Sequence, residues 1–121
     1  MNYIASNPEL LDKKDNDGMT ALIWTTMLNN KDIVEVLIQN NANIGEKNKY
    51  GNTALMIAAY DNYLEIVDLL IKDGREVGIH NKNTGKTALI IAAEAGHDKI
   101  VICLLKIMLV LVKKTLMEEQ H

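Results

Sequence analysis

The 121-residue sequence has no phenylalanine, one tryptophan, four tyrosines, one cysteine and one proline. Without large rings a core must be built from aliphatic residues. Thin layers of small and branched side chains suit stacked helices better than the thick interior of a sheet sandwich. The single cysteine, Cys103, excludes an internal disulfide, and no Asn-x-Ser/Thr acceptor occurs. Both point to a cytoplasmic protein of a reducing, intracellular compartment. Residues 1–11 lack a basic stretch followed by an apolar run, so no secretory signal is expected there. One proline and seven glycines leave little material for a long linker. Nor is there an excess of positive charge: 13 Lys+Arg against 16 Asp+Glu give a net charge of −3. That balance argues against a nucleic-acid binder working by phosphate neutralisation. With 48% hydrophobic and 24% charged residues the chain reads as one soluble domain. A chain of this length can bury roughly 65% of its unfolded surface.

What the sequence does have is repetition. Gly18-Met19-Thr20-Ala21-Leu22-Ile23 recurs as Gly51-Asn52-Thr53-Ala54-Leu55-Met56 and as Gly85-Lys86-Thr87-Ala88-Leu89-Ile90, at spacings of 33 and 34 residues. A second element follows each copy in register. Asp32-Ile33-Val34-Glu35-Val36-Leu37-Ile38 corresponds to Glu65-Ile66-Val67-Asp68-Leu69-Leu70-Ile71, then to Lys99-Ile100-Val101-Ile102-Cys103-Leu104-Leu105. Self-similarity at this period marks a repeat architecture.

Each copy reads as two helices. Thr20, Thr53 and Thr87 stand just before an apolar stretch, where a hydroxyl can cap orphan amides. A first helix of about nine residues follows, ending near Asn29, Asn62 or Gly96, residues that tolerate a left-handed conformation. The second helix is expected to start at Asp32, Tyr63 or Asp98, and its apolar residues form one broad face. Asn41 and Gly74 end the first two copies. The stretches that follow, residues 41–50 and 74–84, read as extended turns. The one-residue insertion falls at Asn83-Thr84, where a loop absorbs it cheaply.

These residues resemble the ankyrin-repeat family, whose unit is a turn plus two antiparallel helices of about 33 residues. The best-matching stretch is Asn48-Lys-Tyr-Gly-Asn-Thr-Ala-Leu with Ile57-Ala58-Ala59 and Leu64-Glu-Ile-Val-Asp-Leu-Leu, and Gly96-His97 matches the Gly-His between helices. Ala21, Ala54 and Ala88 replace the family's proline, and Ile23, Met56 and Ile90 replace its histidine. Ties that this histidine makes between repeats are therefore missing, and below-average stability is expected. Trp24-Thr25-Thr26 stands where the family has small apolar residues. The implied fold is an all-α solenoid of stacked helix-turn-helix units with extended finger loops. Its expected parts are a partial unit at 1–14, repeats at 15–47, 48–80 and 81–112, and a polar tail at 113–121. In the partial unit, Asn7 is the expected cap of a single turn opened by Pro8, and the unit closes the first core layer.

The third copy departs from the pattern at its end. Met108 stands where Asn41 and Gly74 turn the chain, and the apolar run continues to Val112 before Lys113-Lys114. Residues 100–112 are too short to span a bilayer core, which takes about 20. They predict an overlong final helix with a sticky outer face, through which (residues 102–112) the chain self-associates or docks a helix; one alternative is an edge that docks a further repeat or a partner. A membrane-surface role is the less favoured alternative.

Several chemical motifs fail on spacing. Gly85-Lys86-Thr87 resembles the end of a phosphate-binding loop, but the required earlier glycine is His80, and no strand precedes it. Asp15-Asn16-Asp17-Gly18 resembles part of a calcium loop whose first and twelfth positions are Lys13 and Trp24. His80, His97, His121 and Cys103 have no ligand spacing, and Cys103 reads as a small core residue. Ser6 is the only serine. No enzyme, metal or cofactor is expected.

The resemblance implies recognition of a protein partner by a concave face of finger tips and first helices. Aligning the copies places Asn16, Asp17, Met19, Met27 and Leu28 on it, then Lys49, Tyr50, Asn52, Tyr60 and Asp61, then Lys82, Asn83, Lys86, Glu94 and Ala95. Tyr50, Tyr60, Met27 and Leu28 are the expected anchors, since exposed aromatics and methionine suit hot spots.

Overall fold

A computed structural model describes residues 8–72, 74 and 76–119. The helices are α1 (Pro8–Leu11), α2 (Ala21–Met27), α3 (Lys31–Gln39), α4 (Ala54–Tyr60), α5 (Leu64–Leu70), α6 (Ala88–Ala95) and α7 (Asp98–Glu119). Pairs α2–α3, α4–α5 and α6–α7 stack so that α2, α4 and α6 form one layer and α3, α5 and α7 the other. No strand occurs among the described residues; His80 and Thr87 make an isolated bridge. The expected Asn7 cap lies outside the described residues.

The short helices are bounded by local chemistry. Thr20, Thr53 and Thr87 sit in extended conformation, and their hydroxyls accept from the N–H of Ile23, Met56 and Ile90 respectively. Left-handed residues follow the same helices: Asn29 at φ 54°, Asn62 at φ 63° and Gly96 at φ 74°. The first helices are thus seven or eight residues, shorter than the sequence suggests. Asn30 caps α3 by accepting from Ile33 N–H at 3.3 Å, which moves its start to Lys31.

Packing follows the repeat. Ala54, Ala58, Ala59 and Ala92 are fully buried, so the first helices approach closely, and Ile66, Val67, Ile100 and Leu104 fill the layer between pairs. Leu11 of α1 joins this core. Yet Ile33 stays 44% exposed while its counterparts Ile66 and Ile100 are buried, so α1 closes the first layer only in part.

The fingers are Asx turns in register. Asp15 Oδ1 accepts from Asp17 N–H at 2.9 Å, Asn48 Oδ1 from Tyr50 N–H at 3.0 Å and Asn81 Oδ1 from Asn83 N–H at 2.8 Å. Gly18 and Gly51 follow at φ 75° and 82°. A Cβ on Gly18 would meet Lys49 N at 2.9 Å, and one on Gly51 would meet Asn81 Oδ1 at 2.9 Å, so each finger lies directly against the next. In the third finger Gly85 N–H reaches back four residues to Asn81 O, instead of three, so the inserted residue widens this turn alone.

In place of the absent histidines, the fingers supply ties between successive repeats. Lys14 Nζ donates to Lys47 O and Lys47 Nζ to His80 O, each at 2.9 Å and each 33 residues along.

Two expectations need correction. Cys103 is not a fully buried core residue but half-buried, packed against the edge of the core; its Sγ donates to Asp68 Oδ1 at 2.8 Å. Burial, then the Asp68 hydrogen bond and charge, push its thiol up to about 11. Residues 113–119, read from sequence as a polar tail, continue α7 without a break.

Candidate functional site

A trough of about 590 Å³ opens between the fingers and the first helices. Asn48, Tyr50, Asn52, Asn81, Thr84 and Lys86 line its finger side, and Met19, Met27, Met56, Ile57, Tyr60, Asp61 and Ile91 its helix side. Tyr60, Lys86 and Ile91 also border a second hollow of about 480 Å³, completed by Glu94, Ala95 and His97. The two form one continuous concave strip across all three repeats.

Its walls are held from behind. Asn81, 5% exposed, donates from Nδ2 to Tyr50 O at 3.0 Å and to Asn52 Oδ1 at 2.9 Å. Asn83 Nδ2 reaches the same Tyr50 carbonyl at 3.4 Å. The His97 ring meets Tyr60 O at 2.9 Å through Nε2. The backbone carbonyls of both tyrosines are therefore held by the following repeat, while the residues as a whole are 62% and 68% exposed. Little conformational freedom is left in the backbone to lose on binding.

Charge at the strip is compensated locally. Lys49 Nζ pairs with Asp17 Oδ1 at 2.8 Å and lies 5.2 Å from the Tyr50 ring centroid. The Asp17 hydrogen bond, then the contact with Tyr50, raise the Lys49 ammonium pKa above its ordinary value. Lys86 Nζ pairs with Glu94 Oε2 at 3.0 Å. The Lys86 that resembled a phosphate-loop lysine is thus engaged by a carboxylate, and Thr87 beside it caps α6.

The structure brings Met27, Tyr50, Asn52, Tyr60, Asp61 and Lys86 together around the trough, with Glu94 at its neighbour. Met19 is corrected: it is 6% exposed, because the second finger closes over it and Asn48 Nδ2 lies 3.7 Å from its Sδ. It contributes floor, not a free contact. Asn16, Lys82 and Asn83 are exposed on finger turns, Asp17 and Lys49 form the paired rim, and Leu28 is 71% exposed past the end of α2. None of these six lines either hollow. Sequence reasoning missed Met56, Ile57, Ile91, Asn48, Asn81 and Thr84. Ile57 and Ile91 share one repeat offset, and so do Asn48 and Asn81, so the repeat alignment could have supplied them.

Among the described residues no group of three His, Cys, Asp or Glu side chains is placed to hold a metal ion. No helix there is long and apolar enough to cross a membrane.

The family model described as ankyrin repeats (3 copies) matches residues 2–81, and the model for a single ankyrin repeat matches residues 84–108. No curated protein matches the chain.

Proposed function

Because the chain belongs to the ankyrin-repeat family, whose members are generally protein–protein interaction modules rather than enzymes, we propose that it binds a protein partner through the concave strip. The observation that carries this reading is the pair Tyr50 and Tyr60. They are the two most exposed aromatic side chains among the described residues, and both line the same trough. Exposed rings beside Met27, above a floor of Met19 and Met56, offer adaptable apolar contact.

The chemistry of the strip limits the partner segment. Lys49 and Lys86 already face carboxylates, so strong charge recognition is not what the site offers. A segment carrying aromatic or aliphatic side chains, with backbone groups for Asn52 and Asp61 to engage, fits better. The binding needs no catalysis, cofactor or nucleic acid. It suits a scaffold or adaptor in the cytoplasm, and it would serve equally within a longer parent protein.

Capture of partners from source-cell extract, identified by mass spectrometry, supplies the ligand for the test. The double substitution Tyr50→Ala and Tyr60→Ala is expected to weaken binding by about 2 kcal/mol or more with helix content unchanged. Intact binding by that variant, with loss on Glu35→Ala and Asp68→Ala, both exposed on the second-helix layer, would assign the activity to the opposite surface.

A further inference from the structure

Helix α7 carries an apolar row that the repeat architecture does not explain. Ile102, Leu105, Leu109, Val112 and Leu116 succeed one another at steps of three, four, three and four. All five are exposed, from 49% at Leu105 to 55% at Leu109. This alternation keeps a single stripe facing a second helix laid along the first. The side of α7 that meets the repeats is a different row, with Ile100 and Leu104 buried and Ile107, Met108 and Leu111 half-buried against the core.

Stacking a further repeat on the third would not account for the stripe. Leu105 occupies the offset of Ile71, which is buried beside α7, so a successor could cover it. Ile102, however, occupies the offset of Glu35 and Asp68, and both stay exposed although each of their repeats has a successor. Leu109, Val112 and Leu116 lie past the place where α3 and α5 have ended, so no earlier repeat has a helical counterpart for them. The occupant must therefore run along the outside of α7.

The flanks of the stripe choose among such occupants. With Ile102, Leu109 and Leu116 at a and Leu105 and Val112 at d, the e positions are Lys106 and Lys113, and the g positions are Val101, Met108 and Thr115. An antiparallel pair sets e against e and brings lysines of two copies together. A parallel pair sets e against g, where the lysine stems lie over Val101 and Met108 with their ammonium groups in water. We propose that a second copy of this chain docks parallel along α7 as a two-stranded seam. Five half-exposed aliphatic side chains on each copy would bury on the order of 1,000 Å² in total, the low end for a specific interface. The pair should therefore exchange with monomer in the micromolar range. This surface is separate from the concave strip, and either proposal can fail without the other.

Sedimentation equilibrium on the whole chain between about 5 and about 500 μM tests the proposal. A dimer fraction that rises across this range is expected. Leu109→Glu and Leu116→Glu, each at an exposed position, should abolish it with helix content unchanged. In a Cys103→Ser background, Leu116→Cys should cross-link to its twin on oxidation, which only the parallel arrangement permits. A monomer at every concentration overturns the proposal, as does a dimer indifferent to Leu109→Glu. A dimer without the Leu116→Cys cross-link overturns the parallel seam. Binding to anionic phosphatidylserine vesicles that Leu109→Glu abolishes, with the chain monomeric in solution, assigns the stripe to a membrane surface instead.

Discussion

The indole Nε1 of Trp24 donates a 2.9 Å hydrogen bond to Oδ2 of Asp15, joining the first finger to the first helix. The other oxygen of that carboxylate accepts from the N–H of Asp17 and of Met19, each at 2.9 Å. Repeats two and three have Asn48 and Asn81 at the place of Asp15, and Ile57 and Ile91 at the place of Trp24. An asparagine closes the turn equally well, but its side-chain amide nitrogen cannot accept from an indole. The acid and the indole therefore belong together in this repeat.

This contact predicts a pH dependence. The Trp24 hydrogen bond first, then the Met19 N–H, hold the Asp15 carboxyl below its ordinary 3.8. A carboxyl depressed by folding stabilises the fold above its unfolded pKa, and the contribution disappears as pH falls through the folded value. At neutral pH, Asp15→Asn should be less stable than the parent. Below pH 3.8 the two should converge. Urea denaturation followed by the fluorescence of Trp24, the only tryptophan, reads this directly. A gap that stays constant down to the acid limit would show that the charge of Asp15 contributes nothing.

Thr26 gives a second prediction. Its hydroxyl is buried with no hydrogen-bond partner, and Ala59 and Ala93 take its place in the other repeats. A buried hydroxyl left unpaired costs roughly 1–3 kcal/mol, and valine has nearly the same shape without it. Thr26→Val should raise the stability by about 1 kcal/mol, seen as a higher urea midpoint at unchanged slope. A lower midpoint would mean that the hydroxyl finds a partner in solution.

How much of this was legible in the sequence follows from which signals are local. The threonine caps and the Asn and Gly stops act within a few residues, so period and sequence together disclosed two helices per copy. The concave strip was only partly legible, because lining it depends on contact between successive fingers. Met19 shares the offset of Asn52 and Lys86, yet the second finger covers it, which no single-copy pattern reveals. Cys103 shares the offset of Leu69 and Val36, and read as core because all three are apolar. The structure leaves Leu69 and Cys103 half-buried and Val36 49% exposed. Within α7 the apolar run itself was evident, but not which of its residues meet the repeats and which face away from them.

The third prediction links the fold to the site through Asn81. Its amide nitrogen serves Tyr50 O and Asn52 Oδ1, and its oxygen accepts from Asn83 and Thr84 N–H, so one buried side chain ties two fingers. Asn81→Ala removes these four bonds, leaving Tyr50 O only the 3.4 Å bond from Asn83 Nδ2, and should destabilise the chain by about 2–3 kcal/mol. Asn81→Asp keeps the two bonds within its own turn but sets a carboxylate against Tyr50 O. It should therefore retain the third finger while loosening Tyr50. Partner binding by the aspartate variant should fall, and adding Tyr50→Ala to it should cost less than Tyr50→Ala costs the parent, because one wall of the trough is already displaced. Full additivity in this double-mutant cycle would mean that Asn81 supports the fold without positioning the tyrosine.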